Sequence, residues 1–316
     1  MQLDQINRIA VIGLGRMGHG IAQAFAMAGY PVRGFDASPE ARDSAIVRIA
    51  ANLDAFAAND LISRDDVDPI LERITIQSTE ASAARDSQFV VEAIAEDLMV
   101  KQEFFERIED VVRDETIIAS NSSTFTVSDS CIHMRKRDRA IVTHWFNPPH
   151  IVPTVEVVPG PETTEEITGT TLALHRKIGK LAVRVNGEIP GFLVNRIQIA
   201  MIREVWDMFE RGIASPADID AAVRGSIGFR LAACGPLAIC DFGGVDIWST
   251  VYRDLAPDLR SDAMVPDGIQ KLVDAGRLGT RTAAGIHDYD SDSINDVTAD
   301  RDTAMLKLAR LFQFSD

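Results

Sequence analysis

A short apolar run followed by a glycine-rich turn constrains this fold more than any other feature of the sequence. Residues 8–13 read RIAVIG, a β-branched run typical of a buried strand, and GLGRMG begins at Gly13. Met17, Ile21 and Phe25 then recur at helical spacing. A strand, a G-x-G-x-x-G turn and a helix in this order predict the first βαβ unit of a dinucleotide-binding domain.

The glycines of this turn have separate physical tasks. Gly13 permits the tight turn, Gly15 lets the backbone approach a pyrophosphate, and Gly18 lets the helix pack closely on the strand. The free N–H groups of the helix N-terminus then face the phosphates. We count Met17, inside the turn, with the cofactor-binding residues. The alternative, a glycine-rich turn without a ligand, is disfavoured because strand, glycines and helix occur together.

An acid at the end of the second predicted strand selects between the two nicotinamide cofactors. Asp36 follows the glycine turn by about 20 residues, the spacing at which a carboxylate binds both ribose hydroxyls and repels a 2′-phosphate. No arginine directly follows Asp36. The sequence therefore predicts NAD as the cofactor, rather than NADP.

Strand-like and helix-like segments alternate through the first 186 residues, with a predicted helical pair inserted at 38–72. This alternation predicts an α/β fold, a Rossmann-type doubly wound parallel sheet. The further predicted strands are PVRGFD (31–36), RITIQ (73–77), FVVEAI (89–94), TIIASN (116–121), AIVTHW (140–145), PTVEVV (153–158) and LAVRV (181–185).

Beyond NGEIPGF (186–192) the strand-like runs stop and helical periods continue to the end. SPADID (215–220) predicts a helix start with Ser215 as N-cap, and DTAMLKLARLFQ (302–313) predicts a terminal amphipathic helix. We expect an NAD-binding domain at 1–186 and an all-α domain at 187–316. A wide apolar stripe in the second domain predicts a homodimer, unless the chain covers the stripe itself: Leu193, Ile197, Ala200, Met201, Val205 and Met208.

Charge and cysteine content limit the partners and the compartment. The net charge of −15 argues against a nucleic-acid partner, since phosphate backbones require a positive footprint. Three cysteines without a C-x-x-C spacing indicate reduced thiols. The N-terminal residues contain no apolar run long enough for a signal or a membrane span. We expect a cytoplasmic protein with no membrane partner.

Polar residues follow several predicted strands at the edge where open α/β sheets bind ligands. Glu96 and Lys101 follow one strand, Ser123 follows the next, and His144 and Asn147 close a third. Any one of them is more often an ordinary turn-former. Their convergence on the edge expected to hold a nicotinamide favours an active site.

Several longer motifs resemble, in order and spacing, those of the 3-hydroxyacyl-CoA dehydrogenase family: ASNSSTFTV, THWFNPPHIVPTVEVV, GEIPGFLVNR, CGPLAICDFGGVD and GRLGTRTAAGIHDY. The resemblance covers nearly the whole chain and implies a C-terminal dimerisation domain. It implies these roles: His144 and Glu156 as catalytic pair, Ser123 and Asn195 beside the substrate, and Glu96, Lys101 and Asn147 beside the cofactor. Arg281 stands where the family has a cofactor-facing lysine.

Two other interpretations of the stretch from His144 to Glu156 remain open. His144, His150 and Glu156 are evenly spaced, as three ligands of Zn²⁺ on one strand face would be. Intervening prolines break a regular strand, and a hydride carrier already supplies the chemistry, so we predict no metal. Alternatively, His144 and Glu156 pair only to satisfy each other.

The substrate class is the least constrained part of the prediction. The family binds the 3′-phosphate of coenzyme A partly through basic residues on the inserted helical pair, which is largely acidic here. The chain also resembles the branch that oxidises small free 3-hydroxy acids, to which Trp145, His150 and Arg230 are candidate contributors. We favour a dehydrogenase of a small 3-hydroxy acid. The alternatives are an L-3-hydroxyacyl-CoA dehydrogenase and a non-catalytic NAD-binding protein.

Overall fold

The computed structural model describes residues 1–290, 292 and 294–311. Within these residues, eight strands form one sheet in the order β3-β2-β1-β4-β5-β6-β7-β8. The strands are β1 (Ile9–Ile12), β2 (Val32–Phe35), β3 (Ile74–Ile76), β4 (Phe89–Glu92), β5 (Ile117–Ser120), β6 (Ala140–Trp145), β7 (Thr154–Pro159) and β8 (Leu181–Arg184). Every strand predicted from the sequence is present, within a few residues of its expected ends.

Helices flank the sheet, and further helices follow its last strand along the chain. Those of the sheet region are α1 (Gly18–Met27), α2 (Pro39–Ala58), α3 (Val67–Leu71), α4 (Glu80–Ala84), α5 (Leu98–Glu109), α6 (Val127–Ser130) and α7 (Glu165–Lys177). They are followed by α8 (Val194–Glu210), α9 (Pro216–Ala222), α10 (Phe229–Ala233), α11 (Pro236–Gly243), α12 (Val245–Leu255), α13 (Asp267–Asp274) and α14 (Ile294–Leu311). The predicted fold class, a Rossmann-type sheet with an inserted helical pair and a helical C-terminal region, is confirmed.

The last two strands, β7 and β8, depart from the predicted parallel arrangement. The strand β7 runs antiparallel to β6, whereas the remaining neighbours in the sheet pair in parallel. The connection 146–153 between β6 and β7 explains the reversal, because a parallel crossover needs about a dozen residues or more. The reversal brings the two polar residues of the hairpin opposite each other, with His144 in register with Glu156.

Alternate side chains of the sheet enter two separate hydrophobic cores. Ile9, Val11 and Trp145 belong to the core on the side of α1, whereas Ala10 and Val142 belong to the core on the opposite side. These buried strands are apolar on both faces, as expected for a sheet covered by helices on both sides. A polar side chain in such a strand is therefore buried whichever face it points to.

The chain divides into two compact units. The first comprises Met1–Asn195 together with the C-terminal stretch from Thr298, and the second comprises Arg196–Val297. The terminal helix of the first unit, α14, places Leu306 against Phe56 and Ile151. The proposed domain ranges, 1–186 and 187–316, stay a prediction of the sequence.

Two helix predictions in the C-terminal region are confirmed. Ser215 is the N-cap of α9, and its hydroxyl accepts a hydrogen bond of 3.2 Å from the backbone N–H of Asp218. The predicted terminal helix is α14, which begins earlier than expected, at Ile294. Phe312 and Gln313, the end of the predicted helix, lie outside the described residues.

In the part of the chain that the structure describes, no helix is both long enough and apolar enough to span a bilayer.

Two glycines of the first turn differ sharply in the space around them. A Cβ on Gly18 would lie 1.7 Å from the carbonyl oxygen of Gly13, whereas a Cβ on Gly15 would meet nothing within 4 Å. We expect Gly18→Ala to lower the free energy of unfolding by at least about 3 kcal/mol, because backbone must move to relieve the clash. Gly15→Ala is the matched control, with an expected change of no more than about 0.5 kcal/mol. Denaturant unfolding of both variants measures the difference, and equal midpoints would contradict it.

Candidate active site

The centre of the candidate site is a buried histidine paired with a buried carboxylate. Nδ1 of His144 lies 2.8 Å from Oε2 of Glu156, across the antiparallel pair β6 and β7. Both side chains are almost completely buried. An ionised carboxylate only accepts hydrogen bonds, so pairing with the Glu156 carboxylate assigns the ring proton to Nδ1 and leaves the Nε2 lone pair available.

The second oxygen of Glu156 binds the start of α8. Its Oε1 accepts hydrogen bonds from the backbone N–H groups of Leu193 (3.0 Å) and Val194 (2.8 Å). These N–H groups have no acceptor within the helix, and a negative charge at a helix N-terminus is electrostatically favoured. The carboxylate is therefore held from both sides and fixes the orientation of the His144 ring.

Two aromatic rings lie beside His144. The ring centroid of Phe146 lies 4.4 Å away, and that of the buried Phe192 lies 5.6 Å away. Phe192 has a backbone φ of 50°, in the left-handed region, at the turn that leads into α8. The histidine thus lies in an apolar environment where a proton-transfer group is shielded from bulk water.

A second buried carboxylate organises the neighbouring strand ends. Glu92 at the end of β4 accepts hydrogen bonds from Nζ of Lys101 (2.7 Å), Oγ of Ser120 (2.6 Å) and the backbone N–H of Ile94 (3.0 Å). Glu92 and Lys101 are both fully buried. Removal of either partner would leave an uncompensated buried charge, so the pair fixes the geometry of this edge.

The same lysine links this pair to the predicted substrate side. Nζ of Lys101 lies 3.1 Å from Oε2 of Glu96, whose Oε1 accepts hydrogen bonds from the Ser122 hydroxyl (2.6 Å) and the Ser123 backbone N–H (2.9 Å). Nδ2 of Asn195 donates to the carbonyl oxygen of Ser123 at 3.2 Å. The structure thus brings Glu96, Lys101, Ser123 and Asn195 into one network.

The charge of Glu96 reflects these contacts. Partial burial acts to raise the pKa of Glu96, but the hydrogen bond from Ser122 and the nearby ammonium of Lys101 outweigh it. The net pKa is below the usual range for a glutamic acid. Glu96 is therefore ionised at neutral pH and accepts hydrogen bonds only.

The glycine turn and Asp36 form the third part of the site. Oδ2 of Asp36 accepts a hydrogen bond of 2.6 Å from the backbone N–H of Leu14, and Oδ1 accepts one of 2.8 Å from the N–H of Ser38. Gly13 has a φ of 93°, which favours glycine. Met17 is the N-cap residue of α1, adjacent to Gly18.

The remaining sequence-predicted residues belong to both units. Asn147 lies exposed just after β6. Trp145 is buried in the core on the α1 side, a structural position. Arg281 lies in a short 3₁₀ turn of the second unit. Arg230, elsewhere in that unit, donates hydrogen bonds to the backbone carbonyl and the hydroxyl of Ser226.

His150 does not join the His144–Glu156 pair. It contacts Gly20 of α1 and the ring of Phe56, on the side of the sheet opposite to Glu156. The described residues include no group of three or more His, Cys, Asp or Glu side chains arranged to hold a metal ion.

Two family models together match most of the chain. The 3-hydroxyacyl-CoA dehydrogenase NAD-binding domain matches residues 8–189, and the 3-hydroxyacyl-CoA dehydrogenase C-terminal domain matches residues 191–289. The chain belongs to the 3-hydroxyacyl-CoA dehydrogenase family. Membership makes it an NAD-dependent oxidoreductase that acts on CH–OH groups.

Individual relatives extend over nearly the full length. A 5-formyl-3-hydroxy-2-methylpyridine 4-carboxylate 5-dehydrogenase of Mesorhizobium japonicum is 30% identical over 310 residues, covering 98% of this chain and 99% of the relative. A probable 3-hydroxybutyryl-CoA dehydrogenase of Bacillus subtilis is 34% identical over 287 residues, covering 90% and 98%. The crystal structure of a dehydrogenase acting on the same pyridine carboxylate has a TM-score of 0.91, 29% identity, and coverage of 99% and 100%.

The geometry of the first turn fits the NAD cofactor of this family. The open space beside Gly15 admits a pyrophosphate against the backbone, while the close approach of Gly18 to Gly13 brings the N-terminus of α1 to that space. Asp36 lies at the end of β2, directly beside the turn. These residues would hold the pyrophosphate and the adenosine ribose.

Sequence reasoning missed two residues of this site. Glu92 interrupts the apolar run FVVEAI just as Glu156 interrupts PTVEVV, and that signal was available. Arg48 of α2 donates to the carbonyl oxygens of Leu14 (2.6 Å) and Gly15 (3.2 Å) and thereby supports the glycine turn. No local pattern identifies Arg48, because the contact arises only when the inserted helix packs beside the turn.

The position of Asp36 generates a test of cofactor selection. We expect Asp36→Ala to lower the preference for NAD over NADP, measured as the ratio of kcat/KM values, by at least about tenfold, the equivalent of one charge-assisted hydrogen bond. Asp43→Ala, which removes an exposed carboxylate from α2, is the matched control and leaves the ratio unchanged. An unaltered ratio in Asp36→Ala would refute the role of this carboxylate.

Proposed function

We propose that this enzyme transfers a hydride from the 3-hydroxyl carbon of a small free 3-hydroxy acid to NAD, with the His144–Glu156 pair as general base. The observation that carries the proposal is the buried pair itself, with Nδ1 and Oε2 separated by 2.8 Å at the sheet edge where ligands bind. A base of this type suits neutral pH, because histidine gains and releases a proton there.

NAD, when bound, accepts the hydride. Nε2 of His144 takes the proton from the substrate hydroxyl, and the imidazole becomes cationic. Glu156, bound to Nδ1, stabilises that positive charge and keeps the ring from turning. The N–H groups of Leu193 and Val194 hold the carboxylate in place during the transfer.

Ser123 and Asn195 are proposed to hold the reacting oxygen. The hydrogen bond from the Asn195 amide to the Ser123 carbonyl oxygen supports a joint role, since it makes the two residues neighbours. Hydrogen bonds to an oxygen that changes between hydroxyl and carbonyl stabilise the transition state. Glu96, Lys101 and Asn147 are proposed to position the nicotinamide, and Arg281 is proposed as the counterpart of the family's cofactor-facing lysine.

The proposed base is tested by removing its ring. We expect His144→Ala to lower kcat by at least about 10²-fold while NAD affinity stays near that of the wild type. His133→Ala, at an exposed histidine, is the matched control and retains kcat. Initial rates give kcat and NAD titrations give the cofactor affinity, and near-normal turnover of His144→Ala would exclude the assignment.

The arginines of the inserted helical pair support a substrate without coenzyme A. The three arginines of the insert and Arg73, which directly follows it, already donate to acceptors within the protein. Their acceptors are the carbonyl oxygen of Asp36 for Arg42, that of Leu14 for Arg48, the carboxylate of Asp54 for Arg64, and the carbonyl oxygen of Ala26 for Arg73. A 3′-phosphate at this surface would compete with these contacts.

The carboxylates of the same insert also support a substrate without coenzyme A. Six carboxylates between the second half of α2 and the residue directly after α3 create a negative field, which repels the phosphates of coenzyme A. They are Asp54, Asp60, Asp65, Asp66, Asp68 and Glu72. The alternative, an L-3-hydroxyacyl-CoA dehydrogenase, is favoured by the 34% identity to the Bacillus subtilis relative.

Acetoacetate and acetoacetyl-CoA, which share one acyl group, distinguish these substrate classes. We expect acetoacetate or a related free 3-keto acid to be reduced with a higher kcat/KM than acetoacetyl-CoA, followed as loss of NADH absorbance. Replacing both Asp65 and Asp66 by lysine is expected to raise kcat/KM for the thioester only, because it removes the repulsion. A preference of the wild type for acetoacetyl-CoA would establish the alternative.

We also propose that the enzyme is a homodimer assembled through its C-terminal helices. Among the described residues of the second unit, large apolar side chains are mostly exposed: Ile197, Ile199, Phe229, Leu237, Phe242 and Tyr252. Buried aromatic or branched side chains in this unit are limited, in the described part, to Trp206 and Ile219. An exposed apolar surface of this extent supports a partner subunit as its cover.

Light scattering after gel filtration tests the dimer. Leu237 and Phe242 of α11 are 81% and 82% exposed. We expect their joint replacement by aspartate to yield a monomer, since charges cannot be buried unpaired in an interface. Val47→Asp, at a 69% exposed position on α2, is the control and remains dimeric. A monomeric wild type would disprove the proposal.

A cytoplasmic location is also proposed. It is supported by the three cysteines, Cys131, Cys234 and Cys240, all of which carry free thiols.

A further inference from the structure

A cavity of about 210 Å³ lies in the first unit, apart from the residues assigned above. Its walls include Phe56 of α2, His150 and Ile151 of the β6–β7 connection, Lys180 before β8, and Ala309 of α14. His150, which takes no part in the His144–Glu156 pair, lines this cavity.

The cavity lies on the opposite face of the sheet from the catalytic pair. His144 and Trp145 are consecutive on β6, so their side chains point to opposite faces. His144 contacts Phe192 on one face, and Trp145 contacts Phe25 on the other. Nζ of Lys180 lies 5.1 Å from the ring centroid of Trp145, which assigns the cavity to the Trp145 face.

Lys180 is a buried cation without an acidic partner among the described residues that line the cavity. Lys180 is only 8% exposed. Its ammonium donates hydrogen bonds to the carbonyl oxygens of Pro149 (2.7 Å) and Val152 (2.8 Å). An ammonium has three N–H groups, and two carbonyl acceptors leave its positive charge uncompensated.

The other titratable group of the lining is neutral. Burial, together with the nearby positive charges of His19, Lys180 and Arg301, lowers the pKa of His150 to about 3. Burial lowers the pKa of Lys180 to about 7, which reflects the same lack of a compensating anion. At neutral pH the cavity therefore presents a partly protonated amine beside a neutral imidazole and apolar walls, and a bound anion would favour the protonated form of that amine.

The volume limits the size of the ligand. An engineered apolar cavity of about 150 Å³ holds benzene, so 210 Å³ accommodates a six-membered ring with a small charged substituent. Phe56, Ile151 and Ala309 supply apolar surface for such a ring.

We propose that this cavity is a binding site for a small monocarboxylate, with the carboxylate on Lys180 and an apolar body against Phe56 and Ile151. The site is separate from the catalytic pair and does not depend on which substrate the enzyme oxidises. A monocarboxylate supplies the missing negative charge and fills the apolar space.

Benzoate and its neutral isostere benzamide are suitable probes. Each is titrated calorimetrically into the full-length protein saturated with NAD. We expect benzoate to bind with a millimolar or lower Kd and benzamide at least about tenfold more weakly, because only the anion neutralises Lys180. Absence of benzoate binding, or equal binding of benzamide, would overturn the proposal.

Substitutions locate the bound probe. Ala309→Phe fills the cavity and is expected to abolish benzoate binding, whereas Ala304→Phe, on the exposed side of the same helix, leaves it intact. Lys180→Met is expected to weaken benzoate to the affinity of benzamide. Unchanged benzoate affinity in Ala309→Phe would assign the probe to another site, such as the catalytic one, and reject this cavity. Unchanged affinity in folded Lys180→Met would reject the proposed anchor.

Discussion

The candidate active site depends on the hydrogen bonds that the buried carboxylate of Glu156 accepts. One oxygen binds His144 on the adjacent strand, and the other binds two backbone N–H groups at the start of α8. A carboxylate removed from water must find such partners, since burial of an unpaired charge is strongly unfavourable. A single side chain thus joins β6, β7 and the helix that follows the sheet. These hydrogen bonds fix the orientation of the His144 ring and leave the Nε2 lone pair free.

A second buried carboxylate repeats the arrangement one strand pair away. Glu92 binds Lys101 and Ser120, and Lys101 in turn holds Glu96. Glu96 then binds the N–H of Ser123, so a chain of charge-assisted hydrogen bonds runs from the interior to the sheet edge. Both carboxylates interrupt strands that are otherwise apolar on both faces. Burial of an acid in such a strand is energetically unfavourable unless it is hydrogen-bonded. Both carboxylate oxygens of Glu92 and of Glu156 accept hydrogen bonds.

The connection 146–153 has two consequences for the two faces of the sheet. Its length makes β7 antiparallel, which brings Glu156 opposite His144. Its carbonyl oxygens at Pro149 and Val152 accept hydrogen bonds from Lys180 on the other face, beside the cavity that Lys180 lines. The terminal helix α14 contributes Ala309 to that cavity, and α14 lies beyond residue 289, where the match to the family models ends. The His144–Glu156 pair thus lies within the part of the chain that the family models match, whereas the cavity also includes a residue beyond it.

The sequence by itself determined the local elements of this protein. The glycine turn, the strands, the N-cap Ser215 and the terminal helix follow from side-chain periodicity and backbone preferences, which act over a few residues. Spacing and residue type also singled out His144 and Glu156, since neither belongs in an apolar strand. The tertiary structure alone decided the direction of β7, the roles of Glu92 and Arg48, and the face on which His150 lies. These depend on contacts between segments far apart in the chain, and burial of a charge becomes costly only when packing excludes water around it.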